Sequence, residues 1–336
     1  MNKDYRVGII GCGMILGRHI EAINCNENYR LMAVCDIDPT KLDKTKDLEG
    51  VGFYTDYKEM VAQQDINFVV VATPNHLHYE QAIYCLKHGC DVLVEKPAVL
   101  DPSHLAGMEK TALENERQVY GVLQVRLNPV VQKIKSLLTS GALGEVRGVS
   151  LVQRWQRPKE YFDDWRGEPK AGGGILHECG IHYLDVLCYL CGTPAVHSAK
   201  HYNTKHVSVD IEDTIYSILD FGKFGGTVEV TIASEPKNIE CSISILTDKG
   251  YVKIGGKALS TIEEFKFLDE SDELNYERIA SEISEVRAPN AYTSYQGSCP
   301  NHPDLYAKLD RFHLKETHGA VGLIDKIYKM TGHNYY

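Results

Sequence analysis

Short runs that are apolar at every position alternate with amphipathic stretches through the first third of the chain. Val7 to Ile10, Leu31 to Cys35, Phe68 to Ala72, Val92 to Val94 and Val119 to Leu123 read as strands buried on both faces. Between them, Pro39 opens a short polar helix and Asp56 can cap a helix running through Met60. Further helices run from Tyr79 to His88, closing at Gly89, and from Ser103 to Asn115. Strand and helix alternating at this spacing predict a parallel, doubly wound sheet whose strand ends face a ligand.

The pattern changes near Gln124. A helix after Pro129 is followed by a strand from Val146 to Trp155, an irregular stretch to Gly174 and a helix through Leu190. From Val196 onward the apolar positions recur with period two: Asp213 to Phe221, Gly226 to Ala233, Ile239 to Thr247, Tyr251 to Ile254 and Thr261 to Phe267. That is the signature of an antiparallel sheet with one face against helices and the other free to pair with a second subunit. Asp269 to Tyr295 is polar and turn-rich and reads as loop, and Val321 to Met330 as a last helix. The chain is therefore expected to be α/β, with a Rossmann domain over 1–124 and a second α/β domain over 125–336 carrying a large open, mostly antiparallel sheet.

Composition narrows the function classes. The 336 residues are 43% hydrophobic and 24% charged, ordinary for a globular protein. No apolar run is long enough to span a bilayer, and because a strand is read directly after Asn2, Lys3 and Asp4 no signal peptide is expected. Ten scattered cysteines, many inside apolar runs, suit a reducing compartment, and the expected location is the cytoplasm. A net charge of -10 with no basic block argues against nucleic acid and membrane as partners.

The first strand runs into Gly11-Cys12-Gly13 and a helix, and the next strand stops at Asp36. In such a unit the first glycine permits the turn, and the second lets a pyrophosphate approach the backbone. The helix start, at Met14 and Ile15, offers N–H groups to phosphate. Asp36 stands where a carboxylate accepts from ribose hydroxyls and repels a 2'-phosphate, so NAD is expected rather than NADP. Leu16 occupies the third position of the fingerprint, with Gly17 one step late. Three clusters lie at strand ends, on the same edge as the glycine turn: Thr73-Pro74-Asn75 with His78, Glu95-Lys96-Pro97, and Gln124 with Arg126. Thr73, Pro74, Asn75, His78, Glu95, Lys96 and Gln124 are expected to contact the cofactor there. A lysine ending a buried strand is unusual, because lysine is seldom withdrawn from water without a task.

A second cluster follows Gly172-Gly173-Gly174. Glu178 and His182 are four apart on the predicted helix and share a face with Asp185. A carboxylate, an imidazole and a lysine converging on one pocket are materials for acid–base catalysis. His177-Glu178 with His182 only imitates a zinc motif, since the histidines are five apart, so no metal is expected. Cys188 and Cys191 form a lone C-x-x-C inside an apolar helix and read as core.

The glycine turn, A-T-P-N-x-x-H at Ala72 to His78, E-K-P at Glu95 to Pro97, and G-G-G with G-x-H-x-x-D at Gly172 to Asp185 resemble the Gfo/Idh/MocA family of NAD(P)-dependent oxidoreductases. The resemblance implies a Rossmann domain and an open-sheet domain that often forms homodimers or homotetramers. It also implies hydride transfer between a sugar-type carbinol and nicotinamide C4, with Lys96 and His182 as the catalytic pair; four residues before His182, Glu178 is our own candidate to orient that imidazole. Gln124-Val125-Arg126, Trp155 and Tyr161 to Gly167, which includes Trp165 and Arg166, are similar to the branch that oxidises UDP-N-acetylglucosaminuronic acid at C3. Gly297-Ser298 with Asn301-His302 is similar to it as well. Arg154, Arg166, Asn301 and His302 are candidates to grip a diphosphate or carboxylate, with Arg126, Tyr161, Trp165 and Asp185 completing the substrate side. The sequence departs from that branch at Glu178, where an amide is usual and inositol-type relatives have an aspartate, and the segment after His302 looks shortened. An inositol- or aldose-type dehydrogenase and a non-catalytic NAD-binding sensor are the alternative readings.

Overall fold

The computed structural model describes residues 4–45, 48–63, 65–267, 274–287 and 301–336. The chain divides into two compact units, Met1–Val122 with His302–His318, and Leu123–Asn301 with Gly319–Tyr336.

The first unit holds β1 (Tyr5–Ile10), α1 (Leu16–Asn24), β2 (Tyr29–Cys35), β3 (Gly52–Tyr54), α2 (Tyr57–Gln63), β4 (Phe68–Val71), α3 (His78–Lys87), β5 (Asp91–Val94), α4 (Ser103–Glu114) and β6 (Val119–Gly121). All six strands pair in parallel in the order β3-β2-β1-β4-β5-β6, so the order reverses beside β1, where a doubly wound sheet opens its ligand crevice. β4 and β5 are buried at every position; β4 is apolar throughout, and in β5 only the first residue, Asp91, is polar, its carboxylate accepting the Gln118 amide at 2.9 Å. The cap foreseen at Asp56 is present, its carboxylate accepting from the Lys58 amide at 2.8 Å.

One stretch of the sequence falls in a different unit from the one expected. His302–His318 clusters with the first unit instead of continuing the second. Its helix His302–Ala307 lies on α1, and the Tyr29 hydroxyl donates to the Tyr306 carbonyl at 3.1 Å. Further along, the Gly121 amide at the β6 edge donates to Phe312 at 2.9 Å. Leu305, Tyr306, Phe312 and Leu314 are buried there, and covering that surface drives the return.

In the second unit α5 (Pro129–Ser140) leads into β7 (Val146–Arg154), a short α6 (Pro169–Gly172), a π-helical turn over Leu176–Gly180 and α7 (Ile181–Cys191). β8 (Ala195–Tyr202), β9 (Thr214–Asp220), β10 (Gly225–Thr231), β11 (Glu240–Thr247), β12 (Gly250–Gly255) and β13 (Thr261–Phe267) follow. The sheet order is β13-β12-β11-β7-β10-β9-β8, antiparallel except where β10 runs parallel to β7. Val149, Leu151 and Gln153 of β7 point into the core shared with α5 and α7, while Arg154 lies on the other face.

Part of the expected 269–295 loop is helix. α8 (Tyr276–Arg287) buries Ile279 and Ile283, four apart, and the Lys133 amine of α5 reaches Glu282 at 2.5 Å. Two apolar residues on one stripe suffice because α5 supplies the partner surface. Leu274, just before this helix, is buried too, while residues 269–273 and 288–295, with Gly297-Ser298, lie outside the described residues. Among the described residues no helix is long and apolar enough to cross a membrane.

Candidate active site

The glycine turn has the geometry its sequence requires. Gly11 adopts φ +103°, and a Cβ there would stand 2.3 Å from the Ala72 carbonyl oxygen, so only glycine lets β1 and β4 end this close together. Nothing lies within 4 Å of a Cβ built on Gly13, leaving room for a phosphate, and no side chain caps the start of α1 at Ile15. Its first N–H groups therefore remain available to an anion. Asp36 Oδ2 accepts the Cys12 amide of the turn at 2.8 Å, and Oδ1 accepts the Asp38 amide at 3.0 Å. The carboxylate is thereby fixed at the end of β2, where an adenosine ribose would meet it. These residues fit a dinucleotide. Asp36→Ala is expected to weaken NAD binding and to cut the preference for NAD over NADP by about tenfold or more, the scale of a lost charge-assisted hydrogen bond. Titrating both nucleotides into wild type and variant measures it, and an unchanged ratio would discard the assignment.

Thr73, Asn75 and Glu95 follow the ends of β4 and β5, at the same sheet edge as Gly11. Thr73 donates to the Gln81 amide oxygen at 2.6 Å, Asn75 is buried, and Pro74 precedes the short helical turn Asn75–Leu77. The ring nitrogens of buried His78 lie 2.9 Å from the Thr73 carbonyl oxygen and 2.8 Å from that of Pro97. His78 thus ties the two loops to each other. Lys96 is half-buried, while Glu95 is buried against His19 and His302.

In the second unit the glycines open the segment bearing Glu178 and His182. The Glu212 carboxylate accepts the Ile175 amide at 2.9 Å, and the Tyr328 hydroxyl accepts the Leu176 amide at 2.8 Å. Tyr328 in turn donates to Glu212 at 2.7 Å, and Tyr335 donates to the other carboxylate oxygen. The turn that follows is π-helical, so four residues no longer complete one turn and Glu178 is not stacked under His182 as an α-helix would place it. Instead Glu178 accepts from the Tyr161 hydroxyl at 3.2 Å and lies 3.5 Å from the Arg166 guanidinium. Burial pushes the Tyr161 hydroxyl up, keeping it a donor. Arg166 also covers the rings of Tyr161 and Trp165, at 5.4 and 4.6 Å from their centroids. Sequence reading missed Arg157, which lies over Trp155 and Tyr161 at 4.6 and 5.4 Å; the aromatic spacing around it was the available signal.

The other predicted substrate contacts separate. Arg126 and Asp185 form a buried two-pronged pair at 2.8 and 2.7 Å, each occupying the other. Arg154 is not with this group. It pairs with Glu229 at 2.6 and 2.8 Å and with Glu240 at 3.0 Å on the outward sheet face, because strand parity sets it opposite Gln153. Asn301 donates to the Gln124 carbonyl at 3.3 Å. Cys188 and Cys191 are thiols pushed up to about 12 by burial, packing groups and not reactive ones.

His177, stacked on Tyr328 with Nδ1 2.5 Å from the Gly173 carbonyl oxygen, is pushed down from 6.5 to about 4 by burial. The folded chain keeps this ring neutral while the unfolded chain protonates it below about 6.5. Stability is therefore expected to fall by roughly 3 kcal/mol between pH 6.5 and 4 on this residue's account and to be flat in it above 6.5. Buried His19, also lowered by burial, adds a loss of the same sign. Urea midpoints across that interval test this, and His177→Gln should show a shallower acid slope than wild type.

Residues 5–122 match the oxidoreductase family with an NAD-binding Rossmann fold, and residues 131–253 match the GFO/IDH/MocA C-terminal domain. The WlbA dehydrogenase of Bordetella pertussis, solved with NADH and UDP-GlcNAcA, is similar at 28% identity over 99% of this chain and 96% of that one, with a TM-score of 0.89. An oxidoreductase of Formosa agariphila is 31% identical over 253 residues, spanning 72% of this chain and 77% of the relative. The D-glucoside 3-dehydrogenase of Escherichia coli is 25% identical over 241 residues, 67% of this chain and 69% of its own. With a glycine turn, a fixed Asp36 and both family domains in order, the chain belongs to the Gfo/Idh/MocA family and is an NAD-dependent oxidoreductase acting on CH–OH groups.

Proposed function

We propose that the substrate is a nucleotide-linked uronic sugar whose C3 carbinol is oxidised to a ketone, with Lys96 as base and His182 beside the same hydroxyl. The observation that carries the reading is the Tyr161–Arg166–Glu178 group. With Arg157 it sets two guanidiniums and the rings of Tyr161, Trp165 and Trp155 on the segments packed about Glu178, a surface suited to an anionic, ring-bearing ligand. The likeness to the WlbA dehydrogenase over nearly the full length of both chains supports the same class.

NAD supplies the hydride acceptor at nicotinamide C4. Lys96 takes the hydroxyl proton at Nζ as the carbinol C–H electron pair leaves, so the sugar loses two electrons and two hydrogens and gains a C=O bond. His182 accepts or returns a hydrogen bond at the sugar oxygen and holds it toward the lysine. Glu178, bound by Tyr161, and Asp164 both pair with Arg166 and orient its guanidinium, and the N–H groups they leave open would meet the ligand's acidic oxygens.

The test is a panel of UDP-N-acetylglucosaminuronic acid, inositols and aldoses, each mixed with NAD-loaded protein in single-turnover amounts while NADH absorbance is followed. The nucleotide-linked uronic acid should reduce NAD at least ~10-fold faster than any free sugar, given the charged group it adds to binding. Faster turnover of a free polyol would move the substrate class. Tight NAD binding with no reduction by any member would make the protein a sensor.

A further inference from the structure

Glu95 was expected to touch the cofactor and His302 the substrate. The structure puts both in a buried cluster with a residue that no motif pointed to. Glu95 Oε1 lies 3.1 Å from His19 Nε2 and 3.4 Å from His302 Nε2, and Glu95 Oε2 accepts the Lys96 backbone N–H at 3.0 Å. All three residues are at most 6% exposed. His19 comes from α1, the helix that follows the glycine turn, and His302 opens the helix returning onto it.

We propose that His19 and His302 are positioning residues for catalysis: together they hold Glu95 as a buried carboxylate that clamps the Lys96 peptide and fixes the direction in which the lysine leaves β5. The proposal rests on Lys96 being the base.

The proton count supports hydrogen bonds over any other use of this cluster. His19 Nδ1 lies 2.9 Å from the Tyr306 hydroxyl, which can donate to it, so His19 Nε2 carries the proton and donates to Glu95. His302 Nε2 donates to the same oxygen, leaving Nδ1 as a buried acceptor without a partner among the described residues. Burial by itself would push the Glu95 carboxyl up, but the two imidazole donors outweigh it and hold it well below the carboxylate range. Burial also lowers His19, so the carboxylate is ionised and the ring neutral.

The ligand atoms of the three side chains lie within 4.8 Å of one another, close enough in principle for a metal ion. A cation bound through both Nε2 atoms would drive each proton to Nδ1. His19 could then donate to Tyr306, but His302 would bury an N–H with no acceptor among the described residues, costlier than an idle lone pair. From the far side the His78 ring meets the Pro97 carbonyl at 2.8 Å, so the Lys96 turn is held on both flanks. Even with three donors a carboxylate is costly to desolvate, and a hydrophobic filler would pack β5 more cheaply. Its place beside Lys96 supplies the reason to keep it.

The experiment uses full-length, NAD-loaded protein with UDP-N-acetylglucosaminuronic acid as probe, comparing wild type, His302→Leu and His302→Gln. The amide of the glutamine can still donate toward Glu95; leucine cannot. His302→Leu should lose about 10–100-fold in kcat, with NAD Kd and substrate KM within about 3-fold, and His302→Gln should recover most of it, as expected when a misplaced catalytic group is restored. Nitrogen-15 histidine spectra of the wild type, which need no substrate, should show both rings carrying a proton at Nε2 and the His19 ring neutral. Equal loss in the two variants, a wild-type kcat in the leucine variant, or Kd and kcat falling together would overturn the proposal. So would Nδ1 protonation of both rings or one equivalent of tightly held zinc. Failure of the wild type to oxidise this sugar would refute the substrate reading, and the spectra would still decide the clamp.

Discussion

Lys96→Ala is expected to bind NAD as the wild type does and to lose hydride transfer by at least ~100-fold, the usual scale of a lost acid–base group. The substitution removes an amine and leaves its surroundings in place. β5 stays buried, Glu95 still accepts the residue-96 amide, and His78 still spans the Thr73 and Pro97 carbonyls. The pyrophosphate turn at Gly11 and the fixed Asp36 are contributed by other strands, so cofactor affinity has no reason to follow the loss. Lys96→Arg sharpens the result. Its guanidinium keeps the positive charge but is never deprotonated near neutral pH, so it should be as inactive as alanine if the amine is a base. Single-turnover NADH absorbance gives the chemical step, and equilibrium titration gives NAD affinity. Near-normal turnover in the alanine variant, or activity rescued by arginine, would remove Lys96 from the role of base.

Much of the first unit was legible because its signals are local. A strand buried on both faces must be apolar throughout, as β4 is, and a glycine turn ending one strand with an acid ending the next needs only thirty-odd residues to recognise. Period two likewise exposed the strands of the second sheet, and strand parity could have warned that Arg154, next to inward-facing Gln153, belongs to the opposite face. What stayed hidden depends on partners far along the chain. His19 meets Tyr306 across 287 residues and His302 meets Glu95 across 207. The one local hint was that His19 shares an apolar stripe with Leu16 and Ile23, where a histidine needs a buried partner. The π-helical turn was out of reach for another reason. Spacing arguments assume 3.6 residues per turn, and the extra residue at Leu176–Gly180 shifts every side chain before it relative to His182.

That turn is also where a single methyl group should do most damage. Gly174→Ala is expected to destabilise the protein by about 2–5 kcal/mol: a residue other than glycine at positive φ costs about 1–2, and overpacking adds about 1–3. Gly174 has φ +82°, and a Cβ there would lie 2.5 Å from the Tyr328 hydroxyl, 2.8 Å from Glu212 Oε1 and 2.8 Å from a Tyr335 ring carbon. None of these can swing aside freely. Tyr328 and Glu212 bind each other and together receive the Ile175 and Leu176 amides, so displacing them uncaps the segment that carries Glu178 and His182. The melting temperature should drop by about 5–15 °C, and kcat should fall about tenfold or more at temperatures where the variant remains folded. Gly141→Ala is the control. Gly141 also has positive φ, at +78°, but a Cβ there meets nothing within 4 Å, so it should cost only the backbone term and leave kcat alone. The difference between the two melting curves isolates the crowding around Gly174. Equal destabilisation would mean that Glu212, Tyr328 and Tyr335 do not close over this glycine, and that the His182 helix is held by something else.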